Sequence, residues 1–137
     1  MRGIVEDIRA KNWPMTQLTN NRILIVEDEM IVRLIGSDTL VDAGYEVVEA
    51  ETADEALRIL DQHGDIEVLF TDIRMPGSMN GLELARVVHE RWPAVKILIT
   101  SGDTFPRDSE IADHGRFLAK PYRTEVLRRE VDKLLGN

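Results

Sequence analysis

Residues Val68–Gly77 read VLFTDIRMPG. A short apolar run stops at a threonine and an aspartate, and the chain then leaves through Pro76 and Gly77, a turn signal. An apolar segment this short suits a strand covered on both faces better than a helix. Four more runs share its character: Ile23–Val26, Val47–Val48, Ile97–Ile99 and Phe117–Ala119. Between them the spacing turns helical. Ala53, Ala56, Leu57 and Leu60 follow the i, i+3, i+4, i+7 rule, with Thr52 and Glu55 at capping-box spacing ahead of them. Leu84, Ala85, Val88 and Trp92 form a second stripe, stopped by Pro93. Leu127, Val131, Leu134 and Leu135 form a third, stopped by Gly136. Ile31, Leu34, Ile35 and Val41 fit a helix after Asp28, although Gly36 inside it costs about 1 kcal/mol relative to Ala. Between Thr100 and Phe117, the residues Gly102, Pro106 and Gly115 leave room for only a short helix around Arg107–Asp113.

Strand and helix thus alternate five times, which predicts an α/β domain with parallel strands, right-handed crossovers and helices on both faces of the sheet. A chain of 137 residues is the size of one domain. No cysteine is present, which excludes disulfides, thiolate metal sites and a cysteine nucleophile. Seventeen Lys+Arg against 25 Asp+Glu give a net charge of −8, which argues against direct DNA binding and against an anionic membrane surface. No apolar run approaches the roughly 18 residues of a membrane span. Glu6 and Asp7 stand where a signal peptide would be apolar, so the expected location is cytoplasmic. Residues 1–20 fall outside the rhythm. Ile4, Val5 and Ile8 fit a turn and a half of amphipathic helix before Trp13-Pro14, so we expect an N-terminal extension over 1–20 and one domain over 21–137.

Ligands of an open parallel sheet bind beyond the carboxyl ends of its strands. Glu27 and Asp28 follow the first run, Thr71 and Asp72 the third, Thr100 and Ser101 the fourth, and Lys120 and Pro121 the fifth. Three acids, a hydroxyl and a lysine are therefore expected on one edge. At about 4 Å and an effective dielectric near 20, each pair of like charges costs about 4 kcal/mol. A divalent cation would relieve the crowding, and all-oxygen donors favour a hard ion, magnesium first. One carboxylate could then act as a nucleophile while Lys120 and Thr100 hold a phosphoryl oxygen.

With these residues in view, the chain resembles a response-regulator receiver domain of two-component signalling. The matching stretches are ILIVEDE (Ile23–Glu29), VLFTDIRMPG (Val68–Gly77), KILITSG (Lys96–Gly102) and FLAKPY (Phe117–Tyr122), and the resemblance as a whole spans Asn21 to Leu135. The resemblance implies a three-layer, flavodoxin-like fold with strand order 2-1-3-4-5. It implies that Asp72 is the phosphoacceptor, that Asp28 and Glu27 are the metal-binding acids, and that the Arg74 backbone carbonyl is a further magnesium ligand. Thr100 matches the hydroxyl that turns toward the phosphoryl group, Lys120 the lysine that pairs with it, and Phe117 the aromatic switch. The implied partners are a histidine kinase or histidine phosphotransfer protein and a downstream protein target; a homodimer is compatible with it. Only 17 residues follow Lys120, so a stand-alone receiver is expected.

The departures are Glu27 in place of the more frequent Asp, one extra residue in the loop PGSMNG before Gly81, and about two residues fewer between Thr100 and Phe117. A haloacid-dehalogenase-like phosphatase would share an aspartate nucleophile, a Thr, a Lys and magnesium. It needs an acid two residues after the nucleophile, where this chain has Arg74. A flavodoxin-like cofactor binder would need a phosphate-cradling loop in place of Glu27-Asp28. A phosphorylation-independent interaction module is the remaining alternative.

Overall fold

The apolar runs form a five-stranded parallel sheet in the order 2-1-3-4-5. The computed structural model describes residues 21–111 and 115–137; the expected extension over 1–20 lies outside them. The strands are β1 (Arg22–Val26), β2 (Glu46–Ala50), β3 (Ile66–Asp72), β4 (Lys96–Ser101) and β5 (Arg116–Ala119). The helices are α1 (Met30–Asp42), α2 (Ala53–Gln62), α3 (Gly81–Arg91) and α4 (Thr124–Leu135).

Successive side chains of a strand point to opposite faces, and β1 supplies both. Leu24 and Val26 enter a core with Ala53, Ala56 and Leu60 of α2 and Leu84 and Val88 of α3. Ile23 and Ile25 enter a second core with Leu40 of α1 and Leu127 and Val131 of α4. Ile23 and Leu24 are both fully buried, so the continuous apolar run reflects cover on both faces. Trp92 packs against the first core, in keeping with its place on the α3 stripe.

The α1 stripe behaves differently from its spacing. Ile31, Leu34, Ile35 and Val41 fit a helix, but all four are exposed, as is Met30. The helix instead packs through Gly36, Ser37 and Leu40. Gly36 explains the choice: a Cβ there would lie 3.3 Å from the Tyr122 hydroxyl, with Ile25 and Phe70 just beyond. The glycine lets the Tyr122 ring, edge-on to Phe70, lie against the helix.

Two starts govern the site. At α2, Thr52 accepts from the Glu55 amide at 3.2 Å, while the Glu55 carboxylate accepts from the Glu51 amide. At α3, Asn80 and Glu83 form a complete capping box, which satisfies two otherwise orphaned amides. The longer loop before it is tied down by Ser78, which donates to Asp54 at 3.0 Å, and by Met75 and Met79 on the first core. Gly81 could be nothing larger, since a Cβ would fall 1.9 Å from the Asp72 carbonyl oxygen. The short helix expected around 107–113 is reduced, in its described part, to a single 3-10 turn over Asp108–Glu110, after which Ile111 is extended.

Candidate functional site

Strand register sets the site. Val26 stands beside Thr71, and Asp72 beside Thr100, so β1, β3 and β4 end level with one another. Lys120 follows β5 and ties back to β4 through its amide, 2.9 Å from the Ser101 carbonyl. Glu27, Asp28, Asp72, Thr100 and Lys120 thus meet at one edge, as expected for residues that end parallel strands.

Glu27 and Asp72 are buried, at 4% and 7% exposure, whereas Asp28 is exposed. Lys120 Nζ lies 2.8 Å from Glu27 Oε1 and 3.0 Å from Asp72 Oδ2. One ammonium therefore answers two buried carboxylates, and the crowding argued from the sequence is relieved in part by the protein itself. Burial pushes the Glu27 carboxyl above its ordinary range, opposed by hydrogen bonds from Lys120 and from the Glu29 amide. Burial pushes Lys120 down, but its bonds to Glu27 and Asp72 outweigh that and leave it raised. An oxygen from each of Glu27, Asp28 and Asp72 lies within 4.8 Å of the others. Three carboxylate oxygens with no nitrogen or sulfur suit a small hard cation.

Of the remaining expected residues, Thr100 stands beside Asp72 in the strand register, whereas Phe117 and the Arg74 side chain contact other groups. Thr100 is buried and its hydroxyl donates to the Leu118 carbonyl at 2.6 Å, toward β5. Phe117 is half-buried, edge-on to the exposed Phe105 at a ring separation of 5.9 Å. The Arg74 side chain is exposed and pairs with Asp103 at 2.7 Å. An open groove of about 430 Å³, lined by Val32 and Ile35 of α1 with Gly102, Lys120, Pro121 and Tyr122, runs alongside.

Two contributors escaped the sequence reading. Arg33 donates to the Glu27 carbonyl at 2.8 Å and to Glu49 at 2.9 Å, fixing the turn that carries the acidic pair. Nothing in the α1 sequence marks it apart from other surface cations. Asp103, the partner of Arg74, follows Gly102 as an ordinary loop acid would.

A strand-order 2-1-3-4-5 sheet with an acidic pair, a strand-end aspartate, a hydroxyl and a lysine at one edge defines a receiver. Residues 23–132 match the model of the response regulator receiver domain, and the chain belongs to that family. It is 32% identical over 121 residues to a chemotaxis protein CheY homolog of Campylobacter jejuni, covering 84% of this chain and 92% of that protein. It is 34% identical over 147 residues to the sensor kinase CckA of Brucella abortus, matching 96% of this chain but spanning only 15% of the kinase. Among solved structures, a response regulator receiver protein from Sinorhizobium medicae superposes with a TM-score of 0.81 at 31% identity, over 87% of this chain and 97% of that one. No helix among the described residues is long and apolar enough to cross a membrane.

Proposed function

We propose that this protein is a receiver that accepts a phosphoryl group on Asp72 from a histidine kinase or histidine phosphotransfer protein, and that residues 21–137 are its working unit. The observation that supports this most directly is the Lys120 ammonium between the Glu27 and Asp72 carboxylates, with Asp28 alongside. In the reaction, an Asp72 carboxylate oxygen bonds to phosphorus as the bond from phosphorus to the donor's imidazole nitrogen breaks, and the electron pair stays with that nitrogen. Lys120 shifts from Asp72 to a phosphoryl oxygen, since phosphoryl transfer needs positioning and charge neutralisation above all. Glu27, Asp28, Asp72 and the Arg74 carbonyl would hold magnesium, which when bound supplies the positive charge that lets phosphoryl oxygens approach three acids.

Thr100 gives up the Leu118 carbonyl and turns its hydroxyl to the phosphoryl group, which leaves space for Phe117 to move from Phe105 into the fold. The face around Phe105, Phe117 and α4 then presents a different surface to a downstream protein. This is a phosphoacceptor switch in the cytoplasm, rather than an enzyme that turns over external substrate: Arg74 stands where a phosphatase of the haloacid-dehalogenase type needs its acid.

Mass spectrometry after incubation with acetyl phosphate and magnesium tests the reading. The wild type should gain one base-labile phosphoryl group and Asp72→Asn none. Equal labelling of the two proteins would remove Asp72 as the acceptor, and no labelling of either would favour an interaction module.

A further inference from the structure

The Arg74 side chain joins the loop after β3 to the loop after β4, with Nη1 2.7 Å from Asp103 Oδ2. The acid is the fixed member of this pair. Asp103 Oδ1 accepts from the hydroxyls of Ser101 and Thr104, each at 3.2 Å. The amides of Asp103 and Thr104 donate back to Ser101 Oγ at 3.4 and 3.0 Å. Ser101 is 1% exposed and ends β4, one residue after Thr100. Asp103 is therefore anchored to the strand end that flanks Asp72. Arg74 reaches it with a side chain that is 72% exposed, so the guanidinium is the member free to leave.

We propose that Asp103 is a positioning residue that competes with the phosphoryl group for the Arg74 guanidinium, and so sets how long the phosphoryl group survives on Asp72. The inference rests on the reading of Asp72 as acceptor. An exposed ion pair is weak, which makes the Arg74–Asp103 contact exchangeable. A phosphoryl group two residues away brings up to about two negative charges and three oxygens, a match for the planar fork of arginine.

Loss of the phosphoryl group is hydrolysis. The water oxygen bonds to phosphorus as the bond from phosphorus to the Asp72 oxygen breaks; the electron pair returns to the Asp72 carboxylate and the water's protons leave with inorganic phosphate. A guanidinium over the outer phosphoryl oxygens occupies the side from which that water must come. While Asp103 keeps Arg74, the side is open.

The test follows the decay of the acyl phosphate in the full chain after acetyl phosphate is removed, for the wild type, Asp103→Asn, Arg74→Ala and the double variant. Asp103→Asn should lengthen the lifetime by about two- to fivefold, the range an exposed pair can supply. Arg74→Ala should shorten it, and the double variant should match Arg74→Ala, because Asp103 acts only through the guanidinium. An unchanged or shortened lifetime in Asp103→Asn overturns the proposal, as does lengthening by Asp103→Asn when Arg74 is already absent. Failure of the wild type to take a phosphoryl group would overturn the acceptor reading as well, whereas normal labelling with the wrong lifetimes overturns this inference alone.

Discussion

Lys120 touches both Glu27 and Asp72, so its removal leaves two buried acids facing one another. Breaking a buried pair costs more than the pair contributes, and we expect Lys120→Ala to lose about 2 kcal/mol at pH 7. Without the ammonium, burial and Asp72 act on Glu27 against the Glu29 amide alone, raising its folded pKa further above the unfolded value. A group raised in this way favours folding below its unfolded pKa and loses that advantage as pH rises through the folded one. The deficit of Lys120→Ala should therefore shrink toward pH 4.5; equal deficits at both pH values in urea melts would show that the lysine serves packing alone. Tyr122 gives a second signature. Burial pushes its phenol up to about 12, so the folded protein keeps it neutral where the unfolded chain ionises. Stability should fall between about pH 10 and 12, and less so in Tyr122→Phe. In a Tyr45→Phe variant, tyrosinate absorbance should report a single late ionisation; a step near the ordinary value would mean the ring is open to water. Asp72, Asp28 and Lys120 were legible in the sequence because each ends or follows an apolar run, and position along a strand is a local property. Arg33 and Asp103 were not, because each earns its role through a contact between elements that spacing does not encode.

At the scale of elements, the strands and three of the helices were legible from period and stop signals. The buried face of α1 was not. Its apolar residues sit at helical spacing, yet the side toward the sheet is the one bearing Gly36, because the space there belongs to Tyr122. Periodicity identifies a stripe; only the neighbour decides whether that stripe is inside. The Asn80–Glu83 box fixes the start of α3 directly beyond the loop that follows Asp72. Gly81 then packs its backbone on that of Asp72, its amide bonding the Ile73 carbonyl at 2.8 Å. A methyl group cannot fit 1.9 Å from a carbonyl oxygen, and the obstacle is backbone rather than a flexible side chain. Gly81→Ala should cost about 3 kcal/mol or more and displace Asp72, giving slow phosphorylation even where the protein folds. A variant with wild-type melting and labelling would show that α3 can shift without moving the acceptor.

For the whole molecule, the proposed magnesium site would link metal to fold. Magnesium held at the acidic cluster should stabilise the wild type by about 2.7 kcal/mol at a hundredfold excess over the dissociation constant, and Asp28→Asn by much less. Before metal is added, the variant should differ from wild type by no more than about 0.5 kcal/mol, because Asp28 is exposed and Lys120 already separates the other two acids. Thermal melts in EDTA and in excess magnesium check both statements; a large gain for Asp28→Asn in EDTA would restore the unscreened repulsion argued from the sequence.

The Lys120 contact also has a meaning in time. Its two partners lie 93 and 48 residues upstream, so a chain growing from its N-terminus carries all three carboxylates long before the cation that reconciles them. Until β5 closes the sheet, the cluster is an uncompensated acidic edge, unable to grip a phosphoryl oxygen. The pocket is thus complete only past its last strand: a chain that stops at Ala119 has the proposed acceptor without the cation that pairs with it.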